Sequence, residues 1–311
     1  MAYFEKRTDL AIEEKERFPQ DNVELSGVKI TKKQYEKEKI TLTKVEITTA
    51  EGAMEMKKPI GNYITLEFPY NEVPIASFSK SERKKLIEKI CKILKKMIAE
   101  VTKQNKNQVV LVTGLGNRLA TPDALGPIVI ENLQMNRHLV KSFPSNEKEQ
   151  ENCICGIAPG VMGQTGIETF EILDGIIKNI HPDCLLVIDA LATRSIHRLC
   201  HTIQITDTGI APGAGIGNTR MIINQETTGI PVIAIGVPTV VDAKIIIFEA
   251  IEKALQKEGY SEEDIHKFFY SIVKDYKEEL FVTPKDIDEE IQTIARDIAS
   301  AINQLFSFDA E

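Results

Sequence analysis

The sequence predicts an α/β fold: a mostly parallel central sheet covered by helices on both faces, with an antiparallel strand region appended near the amino terminus. Three observations carry that expectation. The runs VVLV (109–112), CLLVI (184–188) and VIAI (232–235) are apolar throughout, as strands covered on both faces must be. Ahead of the second of these runs, Ile167, Phe170, Leu173, Ile176, Ile177 and Ile180 recur at three- and four-residue steps, the spacing of one helix face. The first 70 residues instead alternate apolar with polar positions, the pattern of half-buried antiparallel strands.

Taken in order, Ile40–Leu42, Val45–Ile47 and Ile64–Leu66–Phe68 read as strands of the appended region. Ser79 with Glu82 three residues on forms a capping box ahead of Leu86, Ile90, Ile93 and Met97, so a helix starts there. Strands follow at Val109–Thr113, Cys153–Ala158, Cys184–Asp189, Thr202–Thr206 and Val232–Gly236, with helical patterns between them. Thr283-Pro284-Lys285-Asp286 offers a cap, a proline at the first helical position and an acid at the third. Ile287, Ile291, Ile294, Ile298, Ile302 and Leu305 then make a closing helix.

Composition removes several function classes. The longest uncharged stretch, Thr227–Val241, contains Gly229, Pro231, Gly236 and Pro238 and falls short of the ~18 apolar residues a membrane helix needs. The first twenty residues carry Glu5, Lys6, Arg7, Asp9 and Glu13 with no apolar core, so no secretory signal is expected and the protein is expected in the cytoplasm. Five cysteines in a chain able to bury a real core are expected as reduced thiols. A net charge of −8 argues against a nucleic-acid binder. The charge is uneven: residues 80–106 hold ten Lys or Arg against three Glu, and residues 258–290 hold eleven acids against four Lys. Both runs also carry an apolar stripe, so they read as solvated helix faces.

Two aspartates stand out as chemistry. The strand Val109–Thr113 runs into Gly114-Leu115-Gly116-Asn117, a loop whose glycines permit a tight turn and close approach. Thr121-Pro122 then reads as cap and first position of the next helix, which puts Asp123 at that helix's amino end. On residue type alone Asp123 is first a carboxylate favoured by the helix dipole. Asp189 follows an apolar strand at the sheet edge where open α/β folds bind ligands. If the two strands are neighbours, Asp123 and Asp189 point into one crevice. Burial and mutual repulsion would then raise one pKa so that this group holds a proton while the other stays ionised, which is acid–base equipment for hydrolysis.

The rivals are weaker. GxGxxG is not met after Gly114 and Gly116, which counts against a dinucleotide site. Ser195 with His197 or His201 lacks a nucleophile elbow and reads as a helix surface. Cys153-x-Cys155 is a lone pair on a strand, and Gly213–Asn218 reads as a turn. Asp242 reads as a helix amino-end residue, with a supporting place at the site as the lesser alternative.

The segments TGLGNRLATPDALGP (113–127), IAPGVMGQTGIETFEIL (157–173), VIDALATRS (187–195), IQITDTGIAPGAGIGNTR (203–220) and GIPVIAIGVPTVVDA (229–243) resemble the germination proteases of spore-forming Gram-positive bacteria. The resemblance extends to Arg7–Ala11 and to Val282–Lys285, and so covers nearly the whole chain. It implies an endopeptidase that starts the degradation of small acid-soluble spore proteins during germination, a homotetramer, and a place in the forespore and spore core. It also implies a fold similar to hydrogenase maturation proteases, whose own GxGN loop carries a metal-binding acid where Asp123 stands here.

The family's two essential aspartates carry over to Asp123 and Asp189. Gly114, Gly116, Asn117, Arg194 and Asp242 are possible supporting residues, and no metal or other cofactor is expected. Thr8-Asp9-Leu10-Ala11-Ile12-Glu13 resembles the family's recognition sequence, which implies a zymogen that cuts itself between Asp9 and Leu10. The chain then divides into a propeptide (1–9), a strand-rich extension (10–78) and an α/β peptidase core (79–311) that forms one domain with the extension. A metal-dependent peptidase on the same acids, a non-catalytic sporulation binding protein and a nucleotide-binding regulator remain as alternatives.

Overall fold

A computed structural model describes residues 8–16, 26–35, 39–68, 78–103, 108–142, 152–217, 220–276 and 278–306. Its strands are β1 (Val28–Tyr35), β2 (Ile40–Ile47), β3 (Gly61–Glu67), β4 (Val109–Gly114), β5 (Cys153–Ile157), β6 (Cys184–Thr193), β7 (Thr202–Thr206), β8 (Val232–Asp242) and β9 (Phe281–Val282). The helices are α1 (Ala11–Lys15), α2 (Ala50–Met56), α3 (Lys80–Thr102), α4 (Leu125–Glu131), α5 (Arg137–Ser142), α6 (Met162–Thr165), α7 (Thr169–Ile180), α8 (Gln225–Thr228), α9 (Ala243–Lys257), α10 (Glu262–Val273) and α11 (Ile287–Phe306).

Among the described residues the strands form one sheet in the order β1-β2-β3-β7-β8-β6-β4-β5, with β9 added to the end of β8. The apolar runs behave as their composition demands. Val110, Val112, Leu186, Ile188, Ile233 and Ile235 face a core closed by α3, α4 and α11. Leu111, Leu185 and Val187 point the other way, onto Leu173 and Ile177 of α7. Helices therefore cover both faces of the central strands, as expected.

The appended antiparallel region is present as β1–β3, and the mostly parallel expectation for the rest is met in part, because β7 and β9 run antiparallel to β8. β5, β4, β6 and β8 are parallel, whereas β7, β3, β2 and β1 continue the same sheet antiparallel. An apolar strand reads the same in either direction, so Thr202–Thr206 carries no sign of its antiparallel pairing with β8. β6 and β8 also outrun their expected ends by four and six residues, because Ala190–Thr193 and Val237–Asp242 pair beyond the apolar runs. Ile40–Ile47 is one strand rather than two. β1 escaped notice since six of its eight residues are exposed and its lysines mask the alternation, a usual protection for an edge strand.

Helix starts follow the local chemistry with two exceptions. Ser79 Oγ accepts from the Glu82 N–H at 3.3 Å while Glu82 accepts from the Ser79 N–H at 2.9 Å, the reciprocal box the sequence predicts. Thr283 does not cap α11: its hydroxyl donates to Thr239 O at 2.9 Å, and the helix begins after Asp286. Thr121-Pro122-Asp123 is likewise a short 3₁₀ turn of its own, and α4 begins two residues beyond Asp123.

The described amino-terminal residues are bound to the sheet. Leu10 and Ala11 are fully buried, Leu10 against Leu191 and Ile12, and Ala11 against Val45, Met56 and Tyr63. Glu13, also fully buried, accepts from the hydroxyls of Thr8 and Thr193, from the Arg194 N–H (2.9 Å) and from Arg198 Nη1 (3.3 Å). Arg198 reaches Glu16 (2.6 Å) and Glu67 (2.9 Å) as well, so one guanidinium ties α1 to β3.

Candidate active site

β4 ends at Gly114, which pairs with Ile188 of β6; the next N–H, that of Leu115, still donates to Ile188 O at 2.8 Å. β6 continues while β4 turns away. Asp189 is therefore the first β6 residue beyond the end of its β4 partner, and it is 6% exposed. The chain leaving β4 doubles back through Gly116 and the Thr121–Asp123 turn, and the Asn117 N–H donates to Asp123 Oδ2 at 2.7 Å, which fixes that carboxylate. Asp123 thus spends its side chain on the loop ahead of it and not on its own helix.

Gly116 is required by this turn. Its φ of +108° lies in the region L side chains avoid, and a Cβ there would stand 2.0 Å from Asp123 O. Gly116→Ala is expected to cost about 1–3 kcal/mol in stability and at least tenfold in cleavage rate, read from the unfolding temperature and kcat/KM together.

Asp123, Asp189, Gly116, Pro122, Arg220, Thr239 and Phe281 line one cavity of about 260 Å³, and Asp9 lines it too. Two acids reached from different strand ends therefore share a site, as the sequence predicts. Burial raises the pKa of Asp189 well above the carboxylate value, with the charges of Asp123 and Asp9 adding to it; the Ala190 N–H and Arg220 oppose the rise. Asp123 is raised as well, mainly by burial, against the Asn117 N–H and Arg220. The rise is the larger for Asp189, and the charge of Arg220, which lines the same cavity, opposes it at both carboxyls.

The family model described as germination protease matches residues 5–274. A germination protease of Clostridium tetani is 44% identical over 96% of this chain and 94% of its own length, and one of Clostridium perfringens is 41% identical over the same shares. The chain belongs to the germination protease family. It is a peptidase, and a Bacillus cereus relative at 38% identity covers 97% of it. Among solved structures, a NiFe hydrogenase maturation protease of Thermococcus kodakarensis is similar over 68% of this chain and 98% of its own, at 18% identity and a TM-score of 0.33.

The other residues singled out in this peptidase fall in varied places. Asn117 holds Asp123 through its N–H, and its Oδ1 accepts from Leu119 N and Gln164 Nε2. Gly114 lies under α4, where a Cβ would meet Gly126 O at 2.1 Å, so its role is packing. Arg194 is outside the cavity wall and pairs with Glu13 and Glu14 of α1. Asp242 caps α9 by accepting from the Lys244 N–H at 2.8 Å, the helix-end role read from the sequence. Ile196–Arg198 is a 3₁₀ turn, and the His201 Nδ1 lies 2.6 Å from Leu199 O, so no triad forms there. Among the described residues the cysteines are free.

The sequence expectations do not include Arg220, which lines the cavity, or Lys58 and Gln204, which donate to Asp9 O at 3.0 and 3.3 Å. Arg220 ends a glycine-rich loop that reads only as a turn. Gln204 did carry a signal: it is a polar residue in the middle of a buried strand, and such a residue must find a hydrogen-bond partner. Lys58 carried none.

Proposed function

We propose that this peptidase starts the degradation of small acid-soluble spore proteins when a spore germinates, that Asp123 and Asp189 activate water for the cut, and that the chain is made as a zymogen processed between Asp9 and Leu10. One observation carries the chemistry: two carboxylates of unequal pKa line a cavity that Asp9, the residue ahead of the proposed cut, also enters. The ionised carboxylate, Asp123, takes a proton from water as its oxygen attacks the peptide carbonyl. The protonated one, Asp189, hydrogen-bonds the carbonyl oxygen and then gives its proton to the leaving amine. The pair titrates as a unit, and its one shared proton is restored after each turnover.

Among the described residues no histidine or cysteine lines the cavity, and no three His, Cys, Asp or Glu side chains converge to hold a metal ion. The donor set is poor for zinc, which favours nitrogen and sulfur ligands, and the carboxylates by themselves suffice for the steps above.

In this reading residues 1–9 are the propeptide, and residues 10–78 and 79–311 make one folded unit. Sharing of one sheet by β1–β3 with the rest supports that unit. The resemblance supports a homotetramer in the forespore and spore core. No described helix is long and apolar enough to cross a membrane, and the net charge of −8 suits an enzyme that acts on DNA-coating proteins without being held on the DNA. Incubation with a small acid-soluble spore protein, followed by mass spectrometry, is expected to show cuts on the carboxyl side of an acid that precedes an apolar residue. An intact substrate after prolonged incubation with processed enzyme would overturn the assignment.

A further inference from the structure

We infer that Lys58 and Gln204 stabilise the oxyanion formed at the Asp9 carbonyl when the chain cuts itself, and so belong to the catalytic machinery for that bond. The inference rests on the proposed cut between Asp9 and Leu10. Leu10 is extended (φ −85°, ψ 125°), and α1 begins at the next residue, so the proposed cut lies just ahead of a helix. The Asp9 N–H donates to Ala192 O at 3.1 Å, and Asp9 Oδ2 accepts from the Ala192 N–H at 2.9 Å. These contacts sit beside the register shift between Leu191 and Ala192, where β6 bends. Gln204 brackets Leu10: its Oε1 accepts from the Ala11 N–H at 2.8 Å, and its Nε2 donates to Asp9 O at 3.3 Å. The Lys58 ammonium donates to the same Asp9 oxygen at 3.0 Å, and to Thr8 O at 3.4 Å.

Two side-chain donors, one of them a cation, therefore converge on the carbonyl oxygen of the bond proposed to break. Burial lowers the Lys58 pKa while the charges of Asp9, Glu14 and Glu13 hold it up, so the lysine serves the buried acids of the segment as well as the Asp9 oxygen, and the second donor on that oxygen is what an anchor does not need. Attack by water on the Asp9 carbonyl carbon moves the carbonyl electron pair onto that oxygen, where Lys58 and Gln204 wait. Collapse restores the double bond and expels the Leu10 nitrogen, which takes the proton from the neutral carboxyl while the ionised one keeps the proton drawn from water. The products are a carboxyl group on Asp9 and an amine on Leu10. Donors placed before charge develops lower the barrier without reorganising.

Lys58→Met, Lys58→Arg and Gln204→Glu separate this role from anchoring. Gln204→Glu keeps the acceptor for Ala11 and removes the donor to Asp9. The full-length chain is followed for release of residues 1–9 by mass spectrometry. Docking is read, with each variant placed on Asp123→Asn, as hydrogen-exchange protection of the Leu10 and Ala11 amides. Lys58→Met and Gln204→Glu are expected to slow release by about 10²-fold or more with protection unchanged, and Lys58→Arg to recover at least tenfold of the lysine loss. Release by Lys58→Met within threefold of wild type, or a slow release matched by lost protection, overturns the role of Lys58 and leaves self-cutting standing. A wild-type chain that never sheds residues 1–9 overturns self-cutting and this inference with it.

Discussion

Asp189→Asn is expected to abolish peptide cleavage and, at neutral and alkaline pH, to raise the unfolding temperature. The loss of activity follows from removing the group that holds the proton for the leaving amine, and about 10⁴-fold is expected. The gain in stability follows from the same burial that tunes the group. An unfolded Asp189 ionises near 3.8, whereas the folded carboxyl ionises well above that value because it is buried beside Asp123 and Asp9. Below 3.8 both states are protonated and the residue costs nothing. As pH rises through the interval up to the folded pKa, the unfolded chain gives up its proton and the folded one does not, so stability falls with pH until the folded group also ionises. Asparagine never ionises and escapes that loss. Unfolding curves at pH 4 and pH 8 should nearly coincide for the two proteins at the lower pH and separate by several degrees at the higher one. Coincidence at both would mean that Asp189 is not held protonated by its surroundings.

Arg198→Met is the second change with a large expected effect, and it acts on structure. Burial works against the Arg198 charge, but Glu16, Glu67 and Glu13 outweigh it and raise its pKa. Removing the guanidinium takes from the fully buried Glu13 the nearer of two guanidinium partners, at 3.3 Å against 4.0 Å for Arg194. Breaking one side of a buried pair costs about 3–5 kcal/mol. The hydroxyls of Thr8 and Thr193 and the Arg194 N–H still reach Glu13, which places the cost at the low end, near 3 kcal/mol. Denaturant unfolding should show that loss, and limited proteolysis should find the chain near Lys15 newly open. A variant as stable as wild type would show that the Arg198 ion pairs add nothing to the hold on α1.

How far these features could be read from sequence depends on what each residue's neighbours reveal. VVLV, CLLVI and VIAI announced buried strands because burial on both faces leaves no polar position to blur them. Asp123 and Asp189 were legible for a topological reason: each follows such a strand, and β4 and β6 are adjacent and parallel, so their ends share one edge. Pairing direction was not legible, since period and composition are the same for β7 whichever way it runs. Nor was Lys58. It follows α2, in a part of the chain with no pattern of its own, and only the course of residues 8–11 across the sheet brings it to the Asp9 carbonyl. Arg194 shows the opposite error. It sits five residues beyond Asp189 in a family motif and still serves α1, because β6 has by then carried the chain past the cavity.

The central claim is that Asp123 and Asp189 act as one unit on one water molecule, and the most direct test is a comparison of single-turnover rates. The cutting of a peptide with the sequence of residues 6–16 is measured for wild type, Asp123→Asn, Asp189→Asn and the double variant, each produced as residues 10–311. Each single change should cost about 10³–10⁴-fold, and the double variant should be no slower than the worse single one, as groups sharing a step behave. A single variant within tenfold of wild type, or losses that multiply in the double variant, would contradict the claim.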